Sequence, residues 1–224
     1  MTISSKDNEM IKRIKKLKEK KYREEYNEFI VEGIKMVEEA IIEKAKIKTI
    51  IICDDCKTTG CIPNEIMYEI AKYDCIYVSE KVFGYITDVI NPQGIMAVIQ
   101  KPECAENEID FEEENFLILD NIQDPGNIGT ILRSAAAFGI NRLIFSSDCA
   151  DLYSQKVIRS SMGAIFKLNF DIVDNLPEAL MKLKKQGKRV ISTTLKDNSL
   201  KLGECLINKS DVFVIGNEGH GISS

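Results

Sequence analysis

The chain has 224 residues, 44% hydrophobic and 29% charged, with a formal net charge of −5, the make-up of an ordinary globular protein of one large or two small domains. No apolar run reaches the ~18 residues that a bilayer-spanning helix needs. The opening MTISSKDNEMIKRIKKLKEKK lacks the apolar core of a signal peptide, so the sequence predicts a cytoplasmic protein with no membrane partner.

The first stretch is also the most basic. Residues 1–23 carry nine basic side chains against three acidic ones, a net +6, so the remainder holds −11. Met10, Ile11, Ile14 and Leu17 form an apolar stripe between the lysines, as on an amphipathic helix. A basic end on an acidic body suits contact with a polyanion, and a solvated helix face has the same composition. A short strand over Asn27–Gly33 leads into a turn, and a helix follows over Ile34–Lys44. Thr49–Cys53 reads as a buried strand. The seven cysteines, an odd number without a secretory signal, predict reduced thiols. Cys53 and Cys56 have ligand-like spacing, but no second pair exists and the single histidine, His220, is far away in sequence, so no metal is expected. Asn64 caps a helix over Glu65–Lys72, Cys75–Val78 is a strand, Ser79 caps a short helix, and Gly94–Ile99 is the next strand. Alternating helices and strands make this half a small α/β layer domain.

Residues 102–115 hold seven carboxylates and no Lys or Arg, which marks an acidic linker between domains. Strand and helix then alternate again: strand 116–119, helix 128–138, strand Arg142–Phe145, a short helix near Ser154–Arg159, strand Phe166–Phe170, helix Leu176–Lys185, strand Arg189–Ser192 and strand Asp211–Ile215. Such βαβ repetition predicts a mostly parallel sheet with helices on both faces.

The stretch Leu117–Gly139 organises this second half. A buried strand ends at Asp120, Asp124-Pro125-Gly126 makes a tight turn, Asn127 is placed as the helix N-cap, and Gly139 sits where a helix-ending glycine belongs. At about 100° per residue, Ile128, Ile131, Leu132, Ala135 and Phe138 fall on the packing side. Asn127 and Arg133 are left to address the cleft at the strand ends, where open α/β sheets bind ligands. A plain cap and a solvated arginine would show the same spacing. Two further clusters follow, Arg159-Ser160-Ser161-Met162-Gly163-Ala164 and Gly216-Asn217-Glu218-Gly219-His220-Gly221. The latter lacks the glycine order of a dinucleotide-binding loop.

Together these residues resemble the SpoU-type (TrmH-like) RNA ribose 2′-O-methyltransferases of the SPOUT superfamily. Asp124-Pro125-Gly126-Asn127-x-Gly129-x-x-x-Arg133 is similar to the family's first motif, and Gly216-Asn217-Glu218-Gly219 to its second. Lys20-Lys21-Tyr22-Arg23, Phe29-x-Val31-Glu32-Gly33 and Pro92-Gln93-Gly94-Ile95 resemble the ribosomal-protein-like RNA-binding domain that many members carry. The resemblance implies an RNA substrate-binding domain at 1–101, the linker at 102–115 and a SPOUT methyltransferase domain at 116–224. It implies transfer of a methyl group from S-adenosylmethionine to a ribose 2′-hydroxyl of structured RNA, ribosomal rather than transfer RNA. Arg133, Asn127 and Glu218 are the implied catalytic residues. Thr193, Thr194, Leu195, Gly216, Asn217 and Gly219 would meet the cofactor. Lys16, Lys20, Lys21, Arg23, Arg159 and Ser160 would meet RNA. A homodimer through the methyltransferase domain is implied as well. The family's third motif has no counterpart, so the expectation is a C-terminally truncated chain with an incomplete trefoil knot. A non-catalytic RNA-binding protein is the alternative this leaves. His220 is the rival base by its ordinary pKa, but it lies just outside the matched motif and reads as an incidental loop residue.

Overall fold

A computed structural model describes residues 2–55, 62–102, 116–194, 199–208 and 211–223. The expected linker beyond Pro102, together with Leu195, Cys56 and Cys61, lies outside the described residues. By their internal contacts the residues form two units, one of Met1–Pro102 with Tyr153–Phe166, the other of Glu103–Leu152 with Lys167–Ser224.

The first unit is a five-stranded mixed sheet. Its strands are β1 (Thr2–Ile3), β2 (Glu28–Glu32), β3 (Ile47–Cys53), β4 (Cys75–Val78) and β5 (Ile95–Gln100), in the order β1-β4-β3-β5-β2. β4 runs parallel to β1 and β3, and β5 is antiparallel to β3 and β2. The basic opening is not one helix but two, α1 (Glu9–Lys16) and α2 (Lys20–Tyr26). Asn8 caps α1 by accepting from the Met10 and Ile11 amides, a side-chain bond that satisfies groups the first turn leaves unpaired. Asn27, in the left-handed conformation at φ 52°, ends α2 and turns the chain into β2. Three of the four stripe residues pack as the periodicity implies: Ile11, Ile14 and Leu17 join Ile30, Ile51, Phe83 and Ile86 in one core, while Met10 is exposed. The remaining elements are α3 (Ile34–Ile42), α4 (Asn64–Ile70) and α5 (Glu80–Ile86). Cys53 is disulfide-bonded, contrary to the expectation of reduced thiols throughout, while Cys75, Cys149 and Cys205 are free.

The second unit is built on a wholly parallel sheet of β6 (Phe116–Leu119), β7 (Arg142–Ser146), β8 (Asn169–Val173), β9 (Arg189–Ser192) and β10 (Asp211–Ile215), ordered β8-β7-β6-β10-β9. Helices α6 (Pro125–Ala137) and α8 (Leu176–Lys185) belong to this unit, and the short α7 (Gln155–Ser161) to the first. Phe116, Ile118, Ile144, Val212 and Val214 pack against Leu176 and Leu183, as buried parallel strands with unbroken apolar runs require. The strand expected over Phe166–Phe170 starts later, at Asn169, because Ala164–Phe166 close a 3₁₀ turn. Phe138 departs from the expected packing face. It is the C-cap of α6 and 83% exposed, since periodicity assigns an angle but not the point at which a helix leaves the sheet. From β6 the chain proceeds outward through β7 to β8, then returns to place β10 on the other side of β6. The carboxyl ends of β6 and β10 are therefore the topological switch point, where such sheets leave a ligand cleft. No helix among the described residues is long and apolar enough to cross a membrane.

Candidate active site

Two loops meet at that switch point, one after β6 and one after β10. Leu119 and Ile215 are register partners, so both loops leave the sheet at the same level. Asp120 is 2% exposed, and its Oδ2 accepts from the Ser223 amide at 2.6 Å and the Ser223 hydroxyl at 2.8 Å. Those bonds pull the chain after the second loop back over β6. Asn121 takes a left-handed φ of 55°, and its amide donates to the Ser146 hydroxyl at 2.9 Å.

The second loop closes on itself. Asn217 and Gly221 exchange backbone hydrogen bonds of 2.8 and 2.9 Å. A Cβ on Gly216 would stand 2.4 Å from the carbonyl carbon and oxygen of Gly221, so no side chain fits there. Gly219 meets only the Asn217 side chain, at 3.7 Å. Asn217 is the hub. Its Oδ1 accepts from the Gly219 and His220 amides at 2.9 and 3.0 Å, and its Nδ2 donates to the Asn121 carbonyl at 2.8 Å. The side chain and the backbone of Asn217 are thus both spent on loop structure, so its part is to hold the shape of the turn.

Glu218 joins the loops. Its carboxylate accepts from the Gln123 amide at 3.3 Å, the Asp124 amide at 3.2 Å and the Asn127 Nδ2 at 2.9 Å. These donors surround the N-terminus of α6, where unpaired amides and the helix dipole favour an anion. The Asn127 hydrogen bond, followed by those of the backbone amides, holds the Glu218 carboxyl down at about 2 against the opposing effect of desolvation.

The helix start differs from the sequence expectation. Asp124, not Asn127, is the N-cap; its Oδ1 accepts from the Gly126 amide at 2.5 Å, and Pro125 occupies the first helical position. Proline has no amide to leave unsatisfied there, so Asp-Pro was the signal to read. With Asp124 capping, the Asn127 amide is free to reach Glu218. Arg133, two turns further along α6, is exposed, and among the described residues it has no hydrogen-bond or ion-pair partner.

Beyond β10, the Thr193 amide and hydroxyl both donate to the Val214 carbonyl, at 2.9 and 3.0 Å. Thr193 therefore extends the β9–β10 pairing up to the residue before Gly216, and Thr194 next to it is exposed. Thr193, Thr194, Gly216, Asn217, Gly219, Glu218 and Asn127 are all carried by the end of this one sheet.

The expected RNA contacts belong to the first unit. Lys16, Lys20 and Lys21 are exposed, with Lys16 and Lys21 flanking the Tyr22 ring at 5.1 and 5.6 Å and Lys20 pairing with Glu24 at 3.7 Å. Arg23 is a correction. It is 4% exposed, and its Nη1 donates to the Leu17 and Lys18 carbonyls at 2.8 and 2.6 Å, so it closes the end of α1 rather than facing a phosphate. A cation in a basic run looks like its neighbours until the turn between α1 and α2 is known. Arg159 is exposed on α7, whereas the Ser160 hydroxyl donates back to the Lys156 and Val157 carbonyls at 2.7 and 3.1 Å.

The SpoU rRNA Methylase family matches residues 114–224, and an MRM3-like substrate binding domain matches residues 8–97. The 23S rRNA (guanosine(2553)-2′-O)-methyltransferase RlmP of Bacillus subtilis (strain 168) is 33% identical over 222 residues, covering 99% of this chain and 84% of that protein. The AdoMet-bound rRNA methyltransferase from Sinorhizobium meliloti superposes with a TM-score of 0.84 at 27% identity, over 100% of this chain and 83% of that one. A solved RNA 2′-O ribose methyltransferase gives a TM-score of 0.80 at 27% identity, over 100% and 84%. With these likenesses spanning both units, and with the two motif loops joined through Glu218, the chain belongs to the SpoU rRNA methylase family of RNA 2′-O-methyltransferases.

Proposed function

We propose that this protein methylates a ribose 2′-hydroxyl of ribosomal RNA, with S-adenosylmethionine as donor. The observation that carries the reading is the Glu218 carboxylate bound to the Gln123 and Asp124 amides and to Asn127, which fixes both loops at the switch point, at the start of the helix that carries the exposed Arg133. The exposed residues Thr194 and Gly219, together with the tight Gly216 turn, fit an elongated ligand lying along the ends of β9 and β10. Thr193, Thr194, Gly216, Asn217 and Gly219 would line the cofactor's place there, and Leu195 is assigned with them. When bound, S-adenosylmethionine supplies a methyl group already activated on a sulfonium.

The protein's own task is to place the hydroxyl in line and to stabilise the charge it develops. Arg133 stays protonated, as guanidinium does, so its role is to grip an RNA phosphate and stabilise the forming alkoxide. Asn127 is held by Glu218 through its Nδ2, which leaves its Oδ1 to orient the ribose or Arg133. Residues 1–101 supply substrate binding and residues 116–224 the chemistry, with 102–115 as linker. The same reading carries a homodimer through the methyltransferase domain and a cytoplasmic site of action. Methyl transfer from labelled S-adenosylmethionine into deproteinised ribosomal RNA, followed by mapping of ribose methylation, tests it. Label in transfer RNA alone would overturn the substrate, and no transfer to either would leave a non-catalytic RNA-binding protein.

One contact favours His220 as the proton acceptor. Asn217 Oδ1, a carbonyl oxygen, lies 3.1 Å from His220 Nδ1. An oxygen of that kind only accepts, so Nδ1 carries a proton, and in the neutral ring the lone pair is then on Nε2. Loss of methyl transfer in His220→Gln with cofactor and RNA binding intact would establish that role; unchanged transfer would remove it.

A further inference from the structure

Residues 153–166 fall within the methyltransferase half of the sequence but pack with the first unit. β2 is the terminal strand of its sheet, and an open edge of this kind needs covering. The α7 segment covers it. Gln155 Nε2 donates to the Ile30 carbonyl at 2.8 Å. Phe29 packs against Tyr153 and Phe166, with ring centroids 4.8 and 6.5 Å apart. A Cβ on Gly163 would stand 2.9 Å from Glu39 Cγ, so the segment is seated closely. Gln155 and Arg159 are four residues apart, on one face of α7 and about 6 Å along it. Ile30 and Glu32 are two apart, on one side of β2 and about 6.6 Å along it. With Gln155 on Ile30 and Gly163 against Glu39, α7 advances along the chain direction of β2, which carries Arg159 toward Glu32, and its charge favours the ionised Glu32 carboxyl.

Glu32 is itself held. Its Oε1 accepts from the Thr87 hydroxyl at 2.5 Å. Lys18 Nζ donates to the Thr87 carbonyl at 2.9 Å and pairs with Asp88 at 2.6 Å. Burial pushes the Glu32 carboxyl up, opposed by the Thr87 bond and the Lys18 and Arg159 charges, with Asp88 adding to the rise. A held carboxylate is therefore placed within electrostatic reach of the exposed Arg159, near the stretch that leads into Lys20 and Lys21. On a face meant for a polyanion, a lone negative charge only weakens binding. It helps if it reduces the freedom that Arg159 must give up to grip a phosphate.

We propose that α7 belongs to the RNA-binding face of the first unit, and that Glu32 is the positioning residue that directs Arg159 to the RNA backbone. This rests on the reading of the chain as an RNA methyltransferase. The test uses the full chain and deproteinised 23S rRNA in filter binding, between about 50 and 200 mM salt. Arg159→Ala is expected to weaken binding and to lower the salt slope by about one. Glu32→Gln is the deciding variant. Removal of a negative charge alone would tighten binding to RNA, whereas loss of positioning weakens it, here by roughly three- to tenfold. In an Arg159→Ala background the Glu32→Gln change is expected to weaken nothing further. Thr87→Val keeps the charge but frees the carboxylate; it should weaken binding with the salt slope unchanged, and it replaces Glu32→Gln if that variant does not fold. Equal or tighter binding by Glu32→Gln, or the same loss in both backgrounds, overturns the proposal. Weakening by Lys20→Ala with none by Arg159→Ala also overturns it and leaves the methyltransferase reading standing. Absence of any RNA binding across the salt range would bring down both.

Discussion

Replacing Glu218 by glutamine preserves the shape of the side chain and removes its charge. In the folded protein this carboxyl titrates at about 2 rather than 4.5, which at ~1.36 kcal/mol per pH unit would amount to about 3 kcal/mol for a group shielded from water. Glu218 is exposed, and solvent screening reduces the figure to about 1 kcal/mol. The loss should appear where the bonds are made, as about fivefold faster hydrogen exchange at the Gln123 and Asp124 amides in Glu218→Gln at neutral pH. Because folding depresses this pKa, its contribution is complete above 4.5 and disappears as the pH falls toward 2. The ratio of variant to parent exchange should therefore hold steady down to about pH 4.5 and shrink toward one by about pH 2.5. Equal exchange at neutral pH, or a ratio indifferent to acid, would refute the claim that an ionised carboxylate ties the two loops together.

Other substitutions separate structural from chemical roles. Gly216→Ala, whose Cβ would meet the Gly221 backbone at 2.4 Å, should cost about 1–3 kcal/mol in urea unfolding and abolish S-adenosylmethionine binding by calorimetry; Gly219→Ala, with nothing nearer than 3.7 Å, should unfold within about 0.5 kcal/mol of the parent. Arg133→Ala removes an exposed side chain with no partner among the described residues, so its stability should change by less than about 0.5 kcal/mol while methyl transfer into ribosomal RNA is lost. Arg23→Ala strips hydrogen bonds from the Leu17 and Lys18 carbonyls and should lower stability by about 1.5–3 kcal/mol. Lys21→Ala should leave the melting curve unchanged and reduce the salt slope of RNA binding by about one.

Much of the fold could be read directly. The apolar run Phe116–Leu119, the Asp-Pro-Gly turn and the amphipathic spacing of Ile128, Leu132 and Ala135 identify a strand, a turn and a helix, because each depends on neighbours within a few residues. The glycine at 216 and the Asn217-Glu218-Gly219 string could be singled out for the same reason. Partners distant in sequence are what local properties of the chain do not assign. Asn127 looked like a cap because nothing nearby in sequence shows that Asp124 takes that post and that a carboxylate 91 positions later claims the Asn127 amide. Arg23 looked like a surface cation because its acceptors are exposed only by the break between α1 and α2.

The sequence by itself determined the parallel α/β character of the second half, the basic opening and the identity of the motif residues, since periodicity, charge and turn chemistry are local properties of the chain. Only the tertiary structure decided that Glu218 binds the start of α6, that Arg133 has no partner among the described residues while Arg23 is buried on the Leu17 and Lys18 carbonyls, and that α7 lies against β2. Those pairings join residues dozens of positions apart, and a hydrogen bond over such a separation exists only after strand order and register have brought its two ends together.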